Sequence, residues 1–269
     1  MAPVKIVVCV KPIPDPSYWA RLPLDPKTHT LRREGIPNVL GLLDKCALEE
    51  ALRIRDSCGG KVTVVSMAPL STLGTLYQTL AMGADEVVLL SDRCFAGADT
   101  LATSYVLATA IKKLGQYHLV LCGDKSLDVG TGQVAPQVAE FLAIPHVCHV
   151  LKIDLLDGGR VRVKAKTDDG HIILETDLPA VLAVHRGINQ PRLVSLMGLV
   201  AAREREIKVW GASDLEVDPA RVGLVGSPTQ VAQVFAPQRR RRGELLQGEA
   251  EEMVRSLMAR LEQAGVMPT

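Results

Sequence analysis

The chain has 269 residues, 47% of them hydrophobic and 23% charged, with 31 Lys and Arg against 30 Asp and Glu. A chain of this length forms its core without disulfide or metal staples, as one large domain or a domain with an appendage. A formal net charge of +1 and an aromatic fraction of 3% give no support to nucleic acid or an anionic membrane surface as a partner.

Met1 to Val10 is apolar almost throughout and runs into Lys11 and Pro12 without a small-residue cleavage pattern, so it reads as a first strand, Val4 to Val10, and not as a signal peptide. Asp44 followed by Ala47, Leu48, Ala51, Leu52 and Ile54 makes a helical stripe. Val62 to Ser66 predicts a second strand, Ser71 to Met82 a helix closed by Gly83, and Glu86 to Leu90 a third strand. Asp99 is placed to cap a helix carrying Leu101, Val106, Leu107, Ala110 and Ile111, and His118 to Cys122 predicts a fourth strand. Strand and helix alternating in this way build a Rossmann-like, open, mainly parallel α/β sheet with helices on both faces.

After Pro145 the pattern changes. Val161 to Ala165, the turn Asp168-Asp-Gly170 and the run from His171 to Glu175 predict an antiparallel hairpin extension. Ala180 to Val184 is a further apolar run, and Arg203 to Trp210 carries charge on alternate residues, as an exposed strand or helix end does. The α/β domain is expected over residues 1–226. A C-terminal helical arm, residues 227–269, then passes Pro228, Pro237 and Arg239 to Arg242, a run too short and isolated to imply nucleic acid. Its final helix, Glu249 to Gln263, carries the stripe Met253, Val254, Leu257, Met258 and Leu261, which the body of this chain or a second chain must cover.

No apolar stretch approaches the ~20 residues of a membrane helix, so the chain is not expected to span a membrane. The six cysteines, Cys9, Cys46, Cys58, Cys94, Cys122 and Cys148, stand singly, which argues against zinc or iron–sulfur ligation and for reduced, mostly buried thiols in a cytoplasmic protein. In His146-Val-Cys148-His149, strand alternation separates His149 from the other two, so no metal site is expected. Glu49 and Glu50 beside Arg53 and Arg55 read as surface pairs on a helix. No P-loop, nucleophile elbow or H-E-x-x-H is present, and no catalytic residue is expected.

The segment most informative about chemistry follows the fourth strand: Gly123-Asp-Lys-Ser-Leu-Asp-Val-Gly-Thr-Gly-Gln-Val-Ala-Pro136. It stands at the carboxyl end of a parallel strand, where open α/β sheets bind ligands. Gly130 and Gly132 allow close backbone approach to an anion, Thr131 is placed to cap the following helix, and free amides there suit a pyrophosphate. A loop with a helix cap and no ligand is the other reading. Lys11, after the first strand, is a candidate phosphate partner or a solvated lysine, while Cys9 reads as a packed small hydrophobe and not a nucleophile.

Several segments, in order and over nearly the whole chain, resemble the β subunit of electron transfer flavoproteins. They are Val7 to Asp15, Ala47-Leu-Glu-Glu-Ala-Leu-Arg53, Leu80-Ala-Met-Gly-Ala-Asp85, Ser126-Leu-Asp128 with Gln133 to Pro136, Leu178-Pro-Ala-Val181, and Asn189-Gln-Pro-Arg192 followed by Ser195 and Leu196. The resemblance implies an α/β heterodimer that carries electrons, with one FAD held mainly by the α subunit, and a crevice in this chain for AMP or, in the electron-bifurcating branch, a second FAD. The positions matching that crevice are Cys9; Gly41, Leu42, Leu43 and Asp44; Met67; and Gly123, Asp124, Lys125, Ser126, Leu127, Asp128, Val129, Gly130, Thr131, Gly132, Gln133 and Val134. Leu196 matches the leucine that docks acyl-CoA dehydrogenases.

Three departures from the family pattern stand out. Gly41-Leu-Leu-Asp44 replaces N-P-x-D, which leaves backbone groups on the expected adenine-ribose side. Val163-Lys-Ala-Lys166 replaces V-x-R-E, and Gly130 replaces a common aspartate, which lowers repulsion towards a diphosphate. Gly130 and the tail segments Gly226 to Thr229 and Gly243 to Gly248 favour the second FAD. NADH is then the implied hydride donor, and ferredoxin or flavodoxin the low-potential acceptor. The competing readings are a plain electron carrier with structural AMP, a stand-alone adenine-nucleotide sensor without redox chemistry, and an NAD-dependent dehydrogenase resting on Gly130-x-Gly132 alone.

Overall fold

The first strand, β1 (Val4–Cys9), is an apolar run buried at every position except Lys5, as expected of a parallel strand covered on both faces. The computed structural model to which it belongs describes residues 3–21, 35–232 and 243–266. The chain divides into two units, residues 1–233 and 234–269. In the first, β2 (Pro12–Pro14) and β3 (Asn38–Leu40) form a small antiparallel pair ahead of α1 (Leu42–Cys58). There follow β4 (Gly60–Met67), α2 (Leu73–Met82), β5 (Glu86–Leu90), α3 (Thr100–Leu114), β6 (Leu119–Gly123) and α4 (Val134–Leu142). The antiparallel part comprises β7 (His146–Leu156), β8 (Arg160–Lys166) and β9 (His171–Asp177), and the unit ends through β10 (Ala180–Val184), α5 (Leu196–Arg203), β11 (Lys208–Trp210) and α6 (Ala212–Leu215).

The main sheet has the order β11-β5-β4-β1-β6-β10-β7-β8-β9. Pairing is parallel from β11 to β7 and antiparallel in the β7–β8–β9 extension. After the hairpin the chain returns to place β10 between β6 and β7. All five residues of β10 are buried, so only an interior position covers both of its faces. On one face of the sheet α1 and α2 pack Leu48, Leu52, Leu76 and Leu80 onto Ile6, Val8, Val62 and Leu121. On the other face α3 and α4 pack Val106, Ile111, Val138 and Leu142 onto Val7, Val65 and Val120. Each fully buried leucine or isoleucine in these layers contributes about 2 kcal/mol.

The start of α3 and the end of α2 follow the expected chemistry. Asp99 caps α3 by accepting from the Ala102 amide at 3.0 Å, and Gly83 closes α2 at φ 122°. The segment predicted as one helix from Ser71 begins instead as a 3₁₀ turn, Leu70–Thr72, where the Thr72 hydroxyl bonds back to the Pro69 carbonyl. In the second unit α7 (Ala250–Gln263) exposes Val254, Leu257 and Met258, three members of the predicted apolar stripe. Pro237 and Arg239 to Arg242 lie outside the described residues.

Candidate nucleotide crevice

From β1 the chain winds through α1 and α2 to β4 and β5 on one side; after α3 it crosses to β6 on the other. The winding therefore reverses between β1 and β6, which leaves a crevice outside their carboxyl ends. Cys9, Gly123 and Met67 are the last residues of β1, β6 and β4, and Gly41 to Asp44 open α1 at the same end.

Asp44 ties these ends together. Its Oδ2 accepts the Lys11 amide at 2.8 Å, and the Gly123 amide also bonds the carboxylate. Burial raises its pKa to about 7 against the opposing pull of both amides and of the Lys11 charge. Gly123 is required here, because a Cβ would lie 2.5 Å from Asp44 Oδ1 and 2.9 Å from Leu43 Cβ. Lys11 Nζ, the candidate phosphate partner, is bound to Asp128 at 2.7 Å, so it braces the loop after β6 from across the crevice.

Within that loop Gly130 and Gly132 have φ of 74° and 66°, conformations that a side chain disfavours. The amides of Thr131 and Gly132 donate to no backbone acceptor among the described residues. They lead into the nine-residue α4, whose Val134 and Ala135 amides likewise have no backbone partner among the described residues before Pro136, which has no N–H, and a row of donors of this kind suits a phosphate. Thr131 does not cap α4, contrary to its sequence position: Gln133 is the capping residue, makes no side-chain cap bond, and instead accepts from Thr100 Oγ1 at 3.1 Å. Lys125, Leu127 and Val129 are exposed, while Ser126 and Val134 are half-buried.

Cys9 and Cys122 stand in register on β1 and β6. The Cys9 contact, followed by burial, pushes the Cys122 thiol well above the usual range, so Cys122 packs against Cys9 as a neutral thiol. The expected alternation in β7 fails at Cys148 and His149. Leu182 pairs with Val147 and Val184 with Val150, so Cys148 and His149 together face Ala183 in a bulge. His149 takes φ 57° and turns its ring to Asp124, with Nδ1 2.6 Å from Oδ2.

Glu49 is not a surface residue. It is buried and receives Arg53 at 2.9 Å and Arg192 at 2.8 Å. Burial works against its charge, but the Arg192 side chain and amide together with Arg53 hold its carboxyl below the usual range. Glu50 accepts from Asn189 Nδ2 at 2.9 Å, and Arg55 pairs with Asp56 and Asp85. These bonds fasten the loop 189–192 to α1. Beyond it Ser195 caps α5 through the Gly198 amide, and Leu193, Leu196 and Met197 are exposed, Leu196 to 77%. No sequence signal marked the Asp124–His149 contact, since the bulge depends on pairing with β10. A carboxylate beside the buried stripe of Leu48 and Leu52 was the available sign for Glu49.

Comparison with known proteins decides the family. The electron transfer flavoprotein domain matches residues 28–215. The chain is 44% identical to the electron transfer flavoprotein subunit beta of Thermoanaerobacterium thermosaccharolyticum, over 96% of this chain and 98% of that protein. The chain belongs to the electron transfer flavoprotein β-subunit family. It is also 41% identical to the subunit beta of Clostridium acetobutylicum, over 97% of this chain and 98% of that protein. A third relative is subunit CarD of the caffeyl-CoA reductase-Etf complex of Acetobacterium woodii, 40% identical over 98% of this chain and 100% of its own length. No helix among the described residues is long and apolar enough to cross a membrane.

Proposed function

We propose that this chain is the β subunit of a heterodimeric electron carrier, that its crevice between β1 and β6 holds an adenine nucleotide, and that a flavin held mainly by the α subunit lies against it. The observation that carries the reading is the cradle around Gly123, where Asp44 draws the ends of β1, α1 and β6 so close that only a backbone without Cβ fits. The residues named from the sequence then divide by task. Asp44, Leu43 and Gly123 shape the floor, Lys11 and Asp128 brace the loop, and the amides from Thr131 to Val134 receive phosphate. Cys9 and Met67 line the strand ends.

Within this reading the nucleotide is a second FAD, and the complex bifurcates electrons from NADH between a dehydrogenase and ferredoxin or flavodoxin. Gly130 supports this, since it puts no carboxylate beside the free amides where a diphosphate would lie. A bound flavin supplies the electron-transfer chemistry. This chain's residues bind and orient it, and none of them need act as acid, base or nucleophile. Similarity to a subunit of a caffeyl-CoA reductase-Etf complex supports a partner that handles acyl-CoA. Leu196, exposed at the start of α5 just beyond the loop fastened to α1, is the docking residue for that dehydrogenase, and the exposed stripe of α7 lets the arm, residues 227–269, pack on the α subunit. The buried thiols of Cys9, Cys46 and Cys122 fit a reducing cytoplasm.

The test is to co-express the chain with its α subunit, purify the complex and quantify released FAD and AMP. Two FAD and no AMP per heterodimer is the expected result. One FAD with one AMP would leave a plain electron carrier, and no flavin with no stable partner would overturn the reading in favour of a nucleotide sensor.

A further inference from the structure

The carboxyl ends of β6 and β10 and the bulge near the start of β7 meet at one residue, Asp124. Its amide donates to the Val184 carbonyl at 3.0 Å, its Oδ1 accepts the His149 amide at 2.8 Å, and its Oδ2 lies 2.6 Å from His149 Nδ1. A carboxylate only accepts, so Nδ1 is the donor and the tautomer of the ring is set. The carboxylate is buried, whereas the imidazole is 61% exposed. His149 is held in the left-handed region at φ 57°, where a residue with a Cβ is disfavoured and persists only if its surroundings over-determine it.

Asp124 is also the root of the glycine-rich loop. The loop curls back on it so closely that a Cβ on Gly132 would lie 3.6 Å from the Asp124 carbonyl. One residue therefore carries the strained bulge of β7 on its side chain and the phosphate loop on its backbone. We propose that the Asp124–His149 pair is a positioning clamp for the nucleotide: by fixing the root of the loop, it keeps the amides around Gly130 and Gly132 in the conformation that receives phosphate. This deepens the crevice reading and rests on it. His149 acts through Asp124 and needs no contact with the ligand.

The test uses the complex with the α subunit, stripped of nucleotide, with AMP as the probe in equilibrium dialysis. His149→Gly keeps the left-handed backbone and removes the clamp; His149→Asn tolerates the same backbone and restores a side-chain donor. The expected outcome for His149→Gly is a melting temperature no lower than wild type, AMP affinity about tenfold weaker, and faster amide exchange across residues 124–134; His149→Asn should recover most of the affinity. AMP bound by His149→Gly within twofold of wild type overturns the clamp. So does a variant that melts lower and whose binding Asn fails to rescue, because the pair then serves folding alone. If the wild-type complex binds neither AMP nor FAD, the crevice reading itself fails, and the clamp is judged on amide exchange: unchanged exchange in His149→Gly overturns it.

Discussion

Gly123→Ala probes the cradle most directly. The new methyl would lie 2.5 Å from Asp44 Oδ1, 2.9 Å from Leu43 Cβ and 3.0 Å from the Leu43 carbonyl carbon. Carbon contacts settle at about 3.5–4.0 Å, so the first turn of α1 must retreat by roughly 1 Å. Two of the three clashing atoms belong to Leu43, which is buried, and the helix behind it is pinned to the sheet by Leu48 and Leu52. Overpacking of this kind costs about 1–3 kcal/mol, and stretching the 2.8 Å bond from the Lys11 amide to the Asp44 carboxylate adds about 1 kcal/mol. Urea unfolding of the purified heterodimer should thus show a loss of roughly 2–4 kcal/mol, and released-nucleotide analysis should show the crevice emptied. Stability within about 0.5 kcal/mol of wild type, with nucleotide content unchanged, would refute the reasoning.

Asp44 has a pKa of about 7 in the folded chain against 3.8 when exposed, so the folded state binds its proton more tightly. Its favourable contribution is complete below about pH 4 and is lost as pH rises through 7, up to about 4 kcal/mol. Asp44→Asn should flatten the fall in stability between pH 5 and 8; equal slopes in the two proteins would show that Asp44 does not carry it. Arg192→Ala leaves buried Glu49 with Arg53 alone and should cost about 2–3 kcal/mol, measurable by urea unfolding, with Arg192→Lys intermediate. Leu196→Ala, at an exposed position, should leave stability within about 0.5 kcal/mol and flavin content unchanged while slowing electron transfer to the dehydrogenase, and unchanged rates would remove the docking role. Gly132→Asp combines a disfavoured φ of 66° with a charge beside the free amides and should abolish nucleotide retention, which mass spectrometry of the released ligand checks directly.

The buried parallel strands were legible because each is a short apolar run between helical stripes; Glu86–Leu90 and Ala180–Val184 have the same limits in the sequence reading and in the structure. What the runs do not reveal is order across the sheet. Ala180–Val184 follows a hairpin and gives no local hint that it pairs with β6, whose sequence lies far upstream. The glycine-rich loop, Asp124 included, was legible because glycines with helix-starting context announce themselves, whereas the His149 contact to Asp124 and the buried Glu49–Arg192 pair were not, because they join distant segments. Thr131 shows the opposite error, a suitable capping side chain displaced when the helix starts three residues later at Val134.

The late insertion of β10 has a consequence for how the chain matures. Once residue 123 has left the ribosome, β5, β4, β1 and β6 can assemble, but the outer edge of β6 stays unpaired until residue 184 emerges. Val184 is also the acceptor for the Asp124 amide, so the root of the glycine loop is secured only when the last interior strand arrives. A nascent or truncated chain ending before Ala180 presents an apolar open edge, Leu119 to Cys122, that invites pairing with other chains. Under the proposed reading, the glycine loop is ready for a nucleotide only after the sheet has closed at β10.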